Sequence, residues 1–175
     1  MPIHGKFLIG DADFAPLFMY GVGTFMAYSG NGTYRNRAGC VAVPNNGPIP
    51  NGRYHIVKRP SGGLKGIIRT DAHDFYSWPT STPVIKYEWF ALYRDDGKID
   101  DTTWINGVER GNFRLHPPGP LGVSRGCITL QHRTDFLSIR QALLSTRQIK
   151  LSNGLMSYGV IEVILNGKAA CTNGF

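Results

Sequence analysis

The sequence predicts a mostly β fold carrying one main helix, and three observations lead there. Asn-Gly occurs seven times, at 31–32, 46–47, 51–52, 106–107, 153–154, 166–167 and 173–174, and Asp96-Gly97 adds a related turn signal. Both dipeptides suit type I′ turns, whose two central residues need φ > 0. Short apolar or aromatic runs separate these turns, the pattern of an all-β sandwich or barrel-like domain. Only residues 134–145 space their apolar side chains as a helix does.

Taken in order, residues 6–9 and 24–28 read as the first two strands. Residues 54–58 alternate apolar and polar side chains after the turn Pro50-Asn51-Gly52. Residues 87–93 are aromatic-rich, and 112–116 lead into a proline-rich loop. The run 128–130 reads as a strand following Cys127. Residues 160–165 are almost continuously apolar, as expected of a central strand covered on both faces. In the helix, Phe136, Ile139 and Leu143 fall at i, i+3 and i+7, with Leu137 and Leu144 beside them. Thr134 is the expected N-cap, and Asp135 favours the first turn. The stripe is expected to pack on the sheet. No internal repeat, low-complexity tract or linker interrupts the chain, so residues 1–175 are expected to form a single domain.

The 175 residues suit one domain of roughly 100–200 residues. An apolar fraction of 42% argues against a disordered chain. No apolar run approaches the roughly 20 residues that span a bilayer. The N-terminus, MPIHGKFLIG, lacks the basic and apolar regions of a signal peptide. Synthesis in the cytoplasm without a cleavable signal, and no membrane insertion, are therefore expected. The net charge of +7 suits either a plain basic surface or an acidic partner such as nucleic acid, lipid headgroups or cell-wall carboxylates. Arg35, Arg37, Arg53, Lys58, Arg59, Lys65 and Arg69 are scattered, and no nucleic-acid-binding motif accompanies them, so no nucleic acid is expected. Three cysteines do not make a disulfide framework, and no CxxC or HxxxH pair suggests zinc. Neither metal nor organic cofactor is expected. Cys40 and Cys171 are either free buried thiols or a disulfide. Local context singles out Cys127.

That context is residues 112–130, NFRLHPPGPLGVSRGCITL. A strand-like segment delivers His116 to a Pro/Gly loop, which returns through Ser124-Arg125-Gly126 to Cys127. A nucleophilic cysteine needs a base, because the thiolate is the reactive form. It also needs donors for the oxyanion on the attacked carbonyl. His116 can serve as the base. Gly126 lets main-chain amides approach a substrate closely, and the Gly126 and Cys127 amides are the candidate donors. The same residues also admit a bland reading, in which Cys127 is a small core side chain and His116 a satisfied polar one.

The stretch resembles the catalytic motif of L,D-transpeptidases, in which a His is followed by a loop and then by Ser/Thr-His-Gly-Cys. Residues 47–56, GPIPNGRYHI, resemble the Pro-x-Gly-Phe/Tyr strand start of that family. With YSGNG at 28–32 and FRLHP at 113–117, the sequence is most similar to the L,D-transpeptidase-like effectors of type VI secretion systems. The resemblance spans residues 24–165. It implies an L,D-transpeptidase-like β-sandwich with one main helix after the catalytic cysteine. It further implies a cysteine enzyme acting on peptidoglycan tetrapeptide stems, by L,D-carboxypeptidase cleavage or by exchange of terminal D-Ala for another D-amino acid. Such an effector is secreted and acts in the periplasm of a target bacterium. Its implied partners are the stem peptides, a cognate immunity protein and a secretion-system component.

Residue by residue, the resemblance makes Cys127 the nucleophile and His116 its base. Pro117 offers the carbonyl that orients the histidine, Ser124 shapes the turn, and Gly126 matches the family glycine. The sequence also departs from the broader family. Arg125 stands where most members have a second histidine, only ten residues separate His116 from Cys127, and Cys-Ile-Thr replaces Cys-Ile/Val-Arg. Arg125 and Arg114 are each expected either to bind a substrate carboxylate and tune the thiol or to form surface salt bridges. Tyr28 and Ser29 either line the cleft or form a structural turn. His132 is expected in a loop ahead of the helix. His4, His55 and His73 carry no pattern. Trp89 is expected in the core, and Trp78 and Trp104 in core or rim. Two rivals remain: a catalytically idle peptidoglycan-binding module, and a papain- or amidase-type cysteine peptidase. The order His116 before Cys127 counts against the second rival.

Overall fold

The computed structural model describes residues 1–60 and 88–172. Lys65, Arg69, His73, Trp78 and the first residue of the predicted strand 87–93 lie outside them. The strands are β1 (Ile3–Ile9), β2 (Ala15–Met19), β3 (Gly23–Tyr28), β4 (Gly52–Lys58), β5 (Phe90–Arg94), β6 (Thr102–Ile105) and β7 (Val108–Gly111). There follow β8 (Arg114–His116), β9 (Ile128–Leu130), the helix α1 (Arg133–Ser145), β10 (Ile149–Lys150) and β11 (Met156–Leu165).

Hydrogen-bonded neighbours run β1-β2-β3-β9-β8-β5-β4-β11-β10, and β1 also pairs with β11. That last pairing is parallel, from Ile3 opposite Gly159 to Ile9 opposite Leu165. It joins the two sides, so the expected mostly β class takes the form of a sheet closed on itself. A closed sheet buries its inner face as the two layers of a sandwich do. β11 is central, paired with β4 on one edge and with β1 and β10 on the other.

Strand alternation sorts the side chains. Phe7, Leu17, Tyr54, Ile56, Leu92, Leu115, Ile128 and Leu130 belong to one buried cluster. Phe136, Ile139 and Leu143 of α1 join the same cluster, so the helix stripe seals the core. The helix begins one residue before the expected start. Its N-cap is His132 rather than Thr134, and no side chain caps it. The Thr134 carbonyl instead accepts from Ser138 Oγ at 3.1 Å.

β2, the hairpin β6–β7 and the two-residue β10 escape sequence reading. β2 carries Pro16, which has no N–H to donate to a ladder and weakens the strand signal. The hairpin β6–β7 turns at Asn106 (φ 49°) and Gly107 (φ 76°), as a type I′ turn requires. It forms its own two-stranded sheet. Its residues stand directly beside the strand that leads to His116.

Candidate active site

β8 and β9 are parallel neighbours, with Leu115 opposite Ile128 and His116 opposite Thr129. Leu115 and Ile128 point into the core. Period-two alternation therefore puts Arg114, His116, Cys127 and Thr129 on the opposite face. On β3, Tyr28 pairs with Thr129, which sets a row of Tyr28, Thr129 and His116 across three strands.

His116 is held on three sides. Nδ1 lies 2.7 Å from the Pro117 carbonyl oxygen, Nε2 lies 3.2 Å from Thr129 Oγ1, and the ring stacks on Trp89 at 4.4 Å between centroids. A carbonyl can only accept, so Nδ1 carries the proton and Nε2 the lone pair. Burial pushes the imidazole pKa down to about 4, partly opposed by the Pro117 carbonyl. The ring is neutral at neutral pH.

Cys127 is a free thiol, 8% exposed. It donates to the Asn112 carbonyl, with Sγ 3.6 Å from the oxygen. Burial pushes its pKa up to about 11. The Arg114 main-chain N–H and guanidinium pull it down, as does Arg59, while Asp101 pushes it further up. The resting pair is thus neutral thiol and neutral imidazole. Nε2 takes its hydrogen bond from Thr129 rather than from the thiol.

The turn before Cys127 demands its glycine. Gly126 has φ +91°, and a Cβ there would lie 2.7 Å from Arg110 Nη2 and 3.1 Å from a Phe113 ring carbon. Arg110, reaching in from β7, donates to the carbonyls of Val41, Gly47 and Pro48 and so backs this turn. Ser124 is buried and its hydroxyl donates to the Cys127 carbonyl at 2.9 Å. Neither the Gly126 nor the Cys127 N–H donates to another described main-chain group.

The remaining predicted residues separate. Arg125 is exposed and makes no hydrogen bond or ion pair with a described residue. Arg114 grips Asp101 with two bonds of 2.6 Å, its side chain only 12% exposed, and its guanidinium also pulls the Cys127 pKa down. Tyr28 is buried beneath Arg35, whose guanidinium lies 4.0 Å over its ring and donates to Gly122 of the Pro/Gly loop at 3.1 Å. Ser29 is fully buried. Its hydroxyl accepts from the Ile49 N–H at 2.7 Å and its own N–H donates to Asn36, so it braces the wall and does not line a cleft. Trp89 is half-buried against His116 rather than in the core cluster. Trp104 is 61% exposed on the hairpin.

Thr129, Trp89, Asp101, Arg110 and Asn112 are the neighbours that sequence reasoning missed. Thr129 and Asn112 left a local signal, since both lie in the stretch 112–130. Trp89, Asp101 and Arg110 reach the site from other segments of the fold. A surface depression of about 360 Å³ lined by Asp95, Asp100 and Asn153, among others, shares no residue with the site. Among the described residues, no three His, Cys, Asp or Glu side chains are grouped to hold a metal ion. No helix there is long and apolar enough to cross a membrane.

Comparison with curated proteins and with solved structures produced no match. A protein-family model does match: the Tlde1 domain, over residues 23–154. That span covers β3 through the end of α1 and beyond, and includes His116, Cys127 and the turn between them. The chain therefore belongs to the Tlde1 domain family, a family of type VI secretion L,D-transpeptidase effectors.

Proposed function

We propose that this chain is a cysteine enzyme that removes the terminal D-Ala of peptidoglycan tetrapeptide stems, or exchanges it for another D-amino acid. The observation that carries the reading is the fixed tautomer of His116. Its Nδ1–H is tied to the Pro117 carbonyl, which leaves a lone pair on Nε2 on the face that Cys127 shares.

In the proposed reaction the thiol turns from the Asn112 carbonyl and gives its proton to Nε2. Sγ attacks the carbonyl between the L-centre of the diamino acid and D-Ala. The oxyanion is received by the Gly126 and Cys127 N–H groups. The C–N bond breaks, and D-Ala leaves with the proton from His116. Water resolves the thioester in carboxypeptidase action, and a D-amino acid amine resolves it in exchange. Either outcome removes the donor stems that cross-linking needs. Arg125, exposed and unpaired among the described residues, is the proposed anchor for a stem carboxylate. The net charge of +7 suits a wall rich in carboxylates. The proposed setting is the periplasm of a target bacterium, with a cognate immunity protein guarding the producer and a secretion-system component delivering the chain.

One observation favours a second reading, an idle peptidoglycan-binding module. The thiol is buried, protonated and bonded to Asn112 rather than to His116. Mass spectrometry of disaccharide-tetrapeptide, incubated with the protein with and without D-Met, separates the two. Loss of D-Ala, or its replacement by D-Met, that disappears in Cys127→Ala supports the enzyme. Unchanged tetrapeptide in both conditions favours the module.

A further inference from the structure

We propose that Thr129 is a positioning residue for His116, its buried hydroxyl holding the Nε2 lone pair on the face shared with Cys127. The proposal rests on the reading of His116 as base and Cys127 as nucleophile.

Thr129 has no solvent exposure, and its Oγ1 lies 3.2 Å from Nε2. No other described residue hydrogen-bonds that nitrogen. A hydroxyl both donates and accepts. It donates to Nε2 while the imidazole is neutral. Nε2 has one lone pair, so the hydroxyl first rotates its proton off it; the thiol proton then moves to that lone pair, breaking the Sγ–H bond and forming an Nε2–H bond. The hydroxyl then accepts from the new N–H. A single side chain thus satisfies the base before and after proton transfer, inside a site that burial makes costly for any unpaired polar atom.

The placement is rigid. Thr129 sits mid-row, paired with Tyr28 on one side and His116 on the other. β-branching restricts its χ1. Cys127 lies two residues earlier on the same strand face, so strand rise sets the two side chains about 6.6 Å apart along the chain. The nucleophile and the hydroxyl that orients its base are therefore two residues apart along one strand, while Trp89 stacks on the imidazole face.

The test compares Thr129→Val, which keeps the branched shape without the hydroxyl, with Thr129→Ser, which keeps the hydroxyl. Three quantities are read: the ¹⁵N resonance of His116 Nε2, kcat and KM on disaccharide-tetrapeptide, and thermal unfolding. In Thr129→Val the Nε2 resonance is expected to move downfield. Its kcat is expected to fall on the order of 100-fold, the scale of a misplaced catalytic group. KM is expected to hold, because the side chain is out of substrate reach. Thr129→Ser is expected to restore both resonance and kcat. An unchanged resonance and kcat in Thr129→Val overturn the proposal. So does a Thr129→Ser variant as impaired as Thr129→Val, which would mark a packing role. Should Thr129→Val not fold, Thr129→Ala against Thr129→Ser makes the same comparison. If the wild type turns over no tetrapeptide, the enzymatic reading fails, and the Nε2 resonance still decides whether Thr129 holds the ring.

Discussion

His116 and Cys127 are both buried as neutral groups, and that has a direct consequence for stability. The His116 pKa drops from an ordinary value near 6.5 to about 4. Between those values the unfolded chain binds a proton that the folded chain does not, so stability falls as pH falls. The loss, on the order of 3 kcal/mol by linkage, starts near pH 6.5 and is complete below pH 4. Cys127 works in the opposite sense. Its pKa rises from 9.0 to about 11, so the folded chain keeps a proton that the unfolded chain releases, and stability falls as pH rises through that window. Urea unfolding at pH 7 and at pH 4.5 checks the acid side. His116→Gln is expected to lose less stability between these two points than the wild type, and an equal loss would refute this origin. Gly126→Ala is expected to destabilise by about 1–3 kcal/mol, because it places a Cβ at a left-handed φ against Arg110. A wild-type urea midpoint for that variant would show that the turn relaxes freely.

At the scale of elements, the hairpin β6–β7 is a wall whose two ends reach the site. Asp101, just before β6, grips Arg114 beside the thiol, and Arg110 on β7 gathers the carbonyls behind Gly126. Removing the Asp101 charge should ease ionisation of Cys127, because that carboxylate pushes the thiol pKa up while Arg114 pulls it down. Asp101→Asn is therefore expected to shift the pH dependence of iodoacetamide alkylation towards acid. A shift towards base would mean that the unclamped Arg114 had left the thiol. Much of this scale is legible in sequence. The alternation in 54–58, the apolar run of 160–165 and the stripe Phe136, Ile139, Leu143 all name elements that exist. The Asn106-Gly107 turn is readable too, but its flanking strands are not. Thr102–Ile105 exposes Trp104 and buries Thr103, which inverts the usual apolar-inside pattern.

Across the whole molecule, Cys40 and Cys171 form a disulfide that joins positions 131 residues apart. The sequence left open whether they paired. Their neighbourhood is built for the link: Gly39 N–H donates to the Ala169 carbonyl, and Asp11 accepts from the N–H groups of both Ala38 and Ala169. Closing so long a loop restricts the unfolded chain, and the bond is expected to contribute about 2–5 kcal/mol. Reduction, or Cys40→Ser with Cys171→Ser, should lower the Tm in both cases. An unchanged Tm after verified reduction would show that the hydrogen bonds alone hold the C-terminal segment. Disulfides persist in oxidising compartments, which suits the periplasmic setting proposed above.

By itself the sequence determined the mostly β class, the helix that follows Cys127, and the local motif that leaves ten residues between His116 and Cys127. These are short-range properties, carried by side-chain period, turn chemistry and adjacency along the chain. Tertiary structure alone decided the closure of the sheet through β1 and β11, the Trp89 stack, the Asp101 clamp, the Thr129 hydrogen bond and the Cys40–Cys171 bridge. Each depends on how segments distant in sequence are brought together: the closure and the Thr129 bond through strand register, the stack, the clamp and the bridge through the segments that flank the strands. A one-residue slip would turn a strand's side chains to the other face, and no local pattern along the chain records which register closes.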